Sequence, residues 1–276
     1  MTTRPVTVIP VIVDDDHRLD DYRALNDQAF RRTFEGDDLF IAEGFVAVER
    51  LLESEHEVRS VLLAPSRVER FRAPLERLSA RGIPVYVAER EVIAGVVGFD
   101  LHRGVVAAAA RRPARPLASV VAGCTRVAVL EGLNDAENLG AIARASRALG
   151  VEALVIDPTC TDPYSRRSIR VSMGEILHLP VARVSAAEWP EVLTSLREAG
   201  FESWAMTPAT TAESIWDLMP ADRLAVVFGA EGPGLPRRSL TAADRRVRIP
   251  LRSGVDSLNV GHAAAITFAA IGRCRP

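Results

Sequence analysis

The sequence predicts an α/β protein, with a C-terminal parallel sheet flanked by helices and a smaller α/β domain before it. Three observations carry this reading. Short β-branched runs alternate with helix-patterned stretches along the chain. In the second half the runs read as buried strands, as a sheet covered on both faces requires. Finally, 276 residues, 48% of them hydrophobic, suffice for two cores, since domains commonly hold roughly 100–200 residues.

The elements follow in order. "LFIAEGFVAVERLLES" (39–54) takes up helical spacing after Glu43-Gly44. "VRSVLLAP" (58–65) and "IPVYVAE" (83–89) read as strands around a helical "FRAPLERLSARG" (71–82), and "RGVVAAAARR" (103–112) as a closing strand. "RRPARPLASVVAG" (111–123) is rich in Pro and Arg and reads as a linker. The expected division is therefore 1–112, a linker at 113–122, and 123–276.

In the second domain "TRVAVLEGL" (125–133) is a buried strand, "NLGAIARASRALG" (138–150) a helix stopped by Gly150, and "VEALVID" (151–157) a strand. Residues 165–184 run through a helix to a strand, and 189–200 form a helix. Strands follow at 201–207, 224–232 and 245–251, before a final helix at 257–272. Buried strands alternating with helices imply a parallel sheet, whose ligands bind at the loops after the strand ends. No internal repeat or low-complexity segment is visible.

Composition excludes several classes. No apolar run approaches the roughly 18 residues a membrane span needs. The N-terminus "MTTRPVTVIPVIVDDDH" lacks a signal-peptide layout, so a cytoplasmic protein is expected. Cys124, Cys160 and Cys274 are scattered and odd in number, and the histidines never pair at ligand spacing, so no metal site is expected. The net charge of −2 does not announce a nucleic-acid binder, although residues 1–110 carry −5 and the remainder +3. The chain has no lysine, so every cationic side chain other than a protonated histidine is a planar guanidinium, suited to phosphate and to base stacking.

Three strand-end loops have unusual content. In "LNDAENLGAIAR", Asn138 and Gly140 open a helix that carries Arg144; alone this also reads as an Asn cap, a packing glycine and a solvated arginine. In "VVFGAEGPGLP", Gly229, Gly232 and Gly234 surround Glu231, which fits either a turn or a backbone brought close to a ligand. The order is neither the dinucleotide fingerprint nor a P-loop. In "IPLRSGVDSLNV", Ser257 and Asn259 are both good helix caps before an apolar helix.

Taken together and in this order, the loops resemble the three motifs of the SpoU/TrmH family of S-adenosylmethionine-dependent RNA 2′-O-ribose methyltransferases, over residues 123–272. The matches are Asn138, Gly140 and Arg144; Phe228 through Leu235; and Ile249, Pro250 and Ser257 through Val260. The segment "RVSMGEILHLPV" (170–181) resembles the stretch between motifs. The resemblance implies a sheet carrying a deep trefoil knot, homodimers formed through the knotted domain, and S-adenosylmethionine as cofactor. It assigns Gly229, Ile249 and Leu258 to backbone contacts with that cofactor, joined by Thr207, Phe228, Gly232 and Leu251. It makes Arg144, Asn138, Glu231, Ser257 and Asn259 the catalytic set. A guanidinium stays protonated, so Arg144 is expected to clamp a phosphate and steady developing alkoxide charge rather than act as a simple base. Asn138, Ser257 and Asn259 would orient Arg144 and the ribose, and Glu231 would hold the loops or the arginine.

The N-terminal part resembles, more loosely, the ribosomal-protein-like domain of the family's large-subunit rRNA enzymes, on "FIAEGFVAVERLLES" and "LHRGVVAAAA". This implies 23S rRNA as the partner, with tRNA or a non-catalytic role in ribosome assembly as the alternatives. Arg166, Arg170, Arg31 and Arg103 are the expected RNA contacts, with Arg167 and the pair Arg237-Arg238 beside them. An ordinary nucleotide-binding oxidoreductase is disfavoured, because "EGLNDAENLG" offers no Gly-x-Gly-x-x-Gly turn after the first strand of this domain.

Overall fold

A computed structural model describes residues 7–36, 38–101 and 104–272. The chain separates into two compact units: Met1–Arg112 with Tyr164–His178, and Pro113–Pro163 with Leu179–Pro276.

The first unit holds a five-stranded mixed sheet built from β1 (Ile9–Val11), β2 (Leu39–Glu43), β3 (Val58–Leu63), β4 (Val85–Ala88) and β5 (Val105–Ala110). Their order is β1-β4-β3-β5-β2, with β5 antiparallel to both neighbours. Pro10 is tolerated because β1 is an edge strand. The apolar stretch of the N-terminus thus supplies a strand that the sequence reading did not anticipate. Helices Phe45–Glu53 and Arg72–Ala80 form where the apolar spacing placed them.

Sequence position alone places residues 164–178 with the second sheet, yet they pack into the first unit. Tyr164 stacks on Phe40 at 5.4 Å and meets the His56 ring at 5.1 Å. Arg166 pairs with Glu43 at 3.6 Å and Arg50 with Glu175 at 3.1 Å. Gly174, at φ +80°, lies so close to the Phe45–Glu53 helix that a Cβ would fall 2.7 Å from that of Arg50. Periodicity reports which face of an element is apolar but not which body that face packs against.

His56 lies buried in this contact. Burial, followed by the Arg112 cation, pulls its pKa from the ordinary 6.5 down to about 4. The unfolded chain therefore takes up a proton that the folded one refuses. The stabilisation is complete above 6.5 and is lost as pH falls toward 4. At 1.36 kcal/mol per unit the loss is about 3 kcal/mol. Denaturant melts across this range should show it, and His56→Phe should flatten the dependence.

The second unit carries a seven-stranded, all-parallel sheet. Its strands are β6 (Arg126–Leu130), β7 (Ala153–Ile156), β8 (Val181–Arg183), β9 (Glu202–Met206), β10 (Glu213–Ser214), β11 (Leu224–Phe228) and β12 (Arg245–Arg248). The order is β10-β12-β9-β11-β6-β7-β8. Strands β6, β7 and β11 are buried along their whole length, which explains their unbroken apolar runs.

The expectation that the strands of this sheet are all buried needs correction. Only Val247 of β12 is buried, and the two-residue β10 lies outside it at the sheet edge. Within the stretch read as a linker, Leu117–Val121 form a helix, with Val120 and Val121 buried in this unit's core. Cys124 and Cys160 are buried free thiols, whereas Cys274 lies outside the described residues. No helix is long and apolar enough to cross a membrane among the described residues.

Candidate active site

The site follows from sheet order. Strands β11, β9 and β12 are parallel neighbours, so their C-terminal ends share one sheet edge and their exit loops meet there. The loops after Met206, Phe228 and Arg248 line a cavity of about 220 Å³. All seven residues expected to hold a cofactor are in its wall: Thr207, Phe228, Gly229, Gly232, Ile249, Leu251 and Leu258. Glu231, Ser257 and Asn259 of the catalytic set line it too. Val260, the last residue of the third motif, and Ala263, three residues on in the first turn of the last helix, add apolar wall beyond the seven expected residues.

The loop after β11 returns on itself through an isolated bridge between Ala230 and Gly234. Gly232 and Gly234 adopt φ of +89° and +68°, the left-handed region that favours glycine. Gly229 is glycine for a different reason. A Cβ there would fall 2.3 Å from the backbone of Gly234 and Leu235, so lack of space rather than torsion excludes a side chain.

A directional hydrogen-bond chain crosses the site. The Glu231 carboxylate can only accept, so the amide Nδ2 of buried Asn138 donates to its Oε2 at 2.9 Å. This leaves Asn138 Oδ1 to accept from Asn259 Nδ2 at 2.8 Å. Asn259 Oδ1 in turn accepts from the N–H groups of Gly261 and His262 at 2.9 and 3.3 Å, capping helix Val260–Ile271. One polar chain thus joins the second motif to the first and the third.

These contacts sharpen and correct the cap readings. Asn138 does not cap its helix: Asp135 caps Ala136–Ala148, accepting from Glu137 N–H, and Asn138 is the third residue of the first turn. Asn259 is the cap of the last helix. Ser257 is exposed and makes no hydrogen bond among the described residues. Gly261 permits the approach, since a Cβ there would sit 3.2 Å from that of Ala141. An Asn138→Asp chain loses the donor and sets a second carboxylate beside Glu231, at an expected cost of about 1–3 kcal/mol in denaturant melts.

Arg144 is exposed and is not part of the cavity wall. Six residues past Asn138, it lies about 9 Å further along the helix. Among the described residues it has no hydrogen-bond or ion-pair partner, so its guanidinium is free for a ligand.

The expected RNA contacts fare unevenly. Arg31 is a correction: it is buried, pairs with Glu35 at 2.7 Å and donates to the carbonyls of Asp21 and Arg23, leaving no face for a phosphate. Arg166 is largely covered, paired with Glu43 and lying over the Phe99 ring. Arg170 is half-buried and Arg167 exposed. Arg237 and Arg238 are exposed, and Arg238 is tied to Glu131. Arg103 lies outside the described residues. No cluster of three or more His, Cys, Asp or Glu side chains among the described residues is placed to share a metal ion.

With this geometry in place, family models match in two parts. The model of the SpoU rRNA Methylase family covers residues 125–269, more than half of the chain. The chain belongs to the SpoU rRNA methylase family. Residues 41–114 match a second model, described as RNA 2′-O ribose methyltransferase substrate binding. Among relatives, this SpoU chain is 46% identical to an uncharacterised tRNA/rRNA methyltransferase of Mycobacterium tuberculosis, over 92% of this chain and 88% of that protein. It is 30% identical to the 23S rRNA (guanosine-2′-O-)-methyltransferase of Ralstonia nicotianae, over 81% of this chain and 91% of the relative. Among solved structures, an AdoMet-bound rRNA methyltransferase from Sinorhizobium meliloti aligns with a TM-score of 0.77 at 25% identity, covering 95% of this chain and 97% of that one. All three motifs lie inside the SpoU match.

Proposed function

We propose that this chain transfers the methyl group of S-adenosylmethionine to a ribose 2′-hydroxyl of RNA, with 23S rRNA as the substrate. The observation that carries the reading is the convergence of all seven cofactor candidates on one cavity, beside the Glu231–Asn138–Asn259 chain.

The residues fit the cofactor. Ile249, Leu251 and Leu258 lie outside any strand or helix, so their backbone groups are not committed to a ladder and can read the edge of an adenine. Their side chains, with Phe228, Val260 and Ala263, supply apolar walls for its ring. The Glu231 carboxylate on the rim complements a cationic ligand. When bound, S-adenosylmethionine supplies an electrophilic methyl on a sulfonium.

The chain's own residues then have to align and activate a poor nucleophile. The unpaired Arg144 clamps the phosphate next to the target ribose and steadies charge developing on the 2′-oxygen. Asn138 and Asn259, locked by their mutual bond, orient the ribose, and Ser257 offers it a free hydroxyl.

Residues 1–112, with residues 164–178 packed into the same unit, serve as the RNA-binding part, and the rest of 113–276 forms the catalytic part with the family's knot. The domain match across most of the 23S rRNA enzyme from Ralstonia nicotianae favours rRNA over tRNA. The catalytic part pairs with a second copy through the last helix, whose Ala269 and Ala270 are exposed and apolar. The protein works in the cytoplasm, where ribosomes are made.

Calorimetric titration with S-adenosylmethionine, followed by transfer of labelled methyl to 23S rRNA and to tRNA, tests the reading. Saturable cofactor binding and label on the ribose of 23S rRNA are expected. Binding without transfer to any RNA would favour the non-catalytic assembly role, and label on tRNA alone would overturn the substrate.

A further inference from the structure

Beside the cavity, but not in its wall, one carboxylate gathers three unrelated donors. Glu131 follows the C-terminal end of β6 and is only 4% exposed. Its Oε1 accepts from Trp189 Nε1 at 3.0 Å and from Arg238 Nη2 at 2.9 Å, and its Oε2 accepts from the hydroxyl of Ser239. Its own backbone N–H donates to the carbonyl of Phe228 at 2.9 Å. Phe228 is the last residue before the glycine-rich loop, and Arg238 and Ser239 are among the first after it. A single residue therefore grips both ends of that loop.

The loop needs such a grip. Between Gly229 and Pro236 it contains no helix or strand, and its internal support is the Ala230–Gly234 bridge. Two of its residues occupy left-handed torsions, so little in its own sequence confines it to one shape. Yet it carries both Gly229, in the cavity wall, and Glu231, the accepting end of the polar chain. Leaving a buried carboxylate in place is costly unless its bonds are made, and here two of the three, those from Arg238 and Ser239, are made only when the loop's exit is docked.

From this arrangement we infer that Glu131 is a positioning residue for the methyl-transfer reaction: its carboxylate clamps the exit of the Gly229–Pro236 loop, whose entry its backbone already holds beside β11, and so fixes Gly229 and Glu231 against the cofactor. The inference rests on the function proposed above. Arg238 is accordingly assigned to this clamp rather than to RNA phosphates.

The test uses the full chain and two variants. Glu131→Ala removes every acceptor. Glu131→Gln keeps the shape, retains an acceptor for Trp189, and turns an amide that can donate to Ser239. Hydrogen–deuterium exchange of peptides spanning 229–239 is read first, because it needs no cofactor. Exchange there should rise about tenfold in Glu131→Ala while the remaining sheet keeps its protection. The KM for S-adenosylmethionine should rise by about tenfold or more, with a smaller fall in kcat, since a displaced loop harms positioning before chemistry. Glu131→Gln should fall between wild type and Ala on both readouts.

Should Ala prove too unstable to purify, Gln and Arg238→Ala carry the same comparison at smaller amplitude. Unchanged loop exchange, or exchange raised uniformly over the whole sheet, would overturn the clamp. Raised loop exchange with wild-type KM would leave Glu131 no part in the reaction and overturn the inference, while a wild-type chain that does not bind S-adenosylmethionine overturns the parent reading and with it this role.

Discussion

An Arg144→Ala chain is expected to fold and bind S-adenosylmethionine like wild type, yet to transfer methyl about 10²–10³-fold more slowly, a loss of about 3–4 kcal/mol of transition-state stabilisation. The selectivity of the effect follows from the position. Arg144 is exposed, has no partner among the described residues and does not line the cavity, so truncation removes no packing and no cofactor contact. What it removes is a motif cation free to meet a phosphate or a developing alkoxide. Single-turnover rates at saturating cofactor, beside calorimetric affinity, separate the two effects. Near wild-type turnover would sink the role. A parallel loss of affinity would mean that Arg144 shapes the cavity instead.

The second large effect is expected at Gly229, and it should run the opposite way. In Gly229→Ala a methyl group meets backbone atoms of Gly234 and Leu235 at 2.3 Å, far inside van der Waals contact, and backbone cannot rotate aside as a side chain would. The loop must open, carrying the cavity wall with it. Cofactor affinity should fall by about a hundredfold, because an ångström of misplacement in a positioning element has that order of effect. Stability should fall by about 1–3 kcal/mol, the usual cost of overpacking. Calorimetry and thermal melts measure both, and unchanged cofactor binding would show that this loop is not part of the cofactor site.

Much of the catalytic unit was legible in the sequence because its physics is local. Fully buried parallel strands need continuous apolar runs, and β6, β7 and β11 show them. Positive-φ turns need glycine, and "GAEGPG" supplied it. Features set by distant contacts were not legible. Asn138 has the composition of a cap, but its partners are Glu231 and Asn259, 93 and 121 residues away. Arg31 looks like a surface cation until the fold brings Glu35 and two carbonyls around it. Glu131 carries no motif signal, since its three donors come from residues 58 to 108 positions away. The packing of residues 164–178 into the first unit depends on Phe40 and Glu43, which no periodicity within that segment encodes.

A map of ribose 2′-O-methylation on rRNA and tRNA from cells with and without the gene decides whether this chain methylates 23S rRNA. One 23S rRNA nucleotide is expected to lose its 2′-O-methyl group when the gene is removed and to regain it with the wild-type chain but not with Arg144→Ala. Identical maps with and without the gene, or a lost mark confined to tRNA, would contradict methylation of 23S rRNA by this chain.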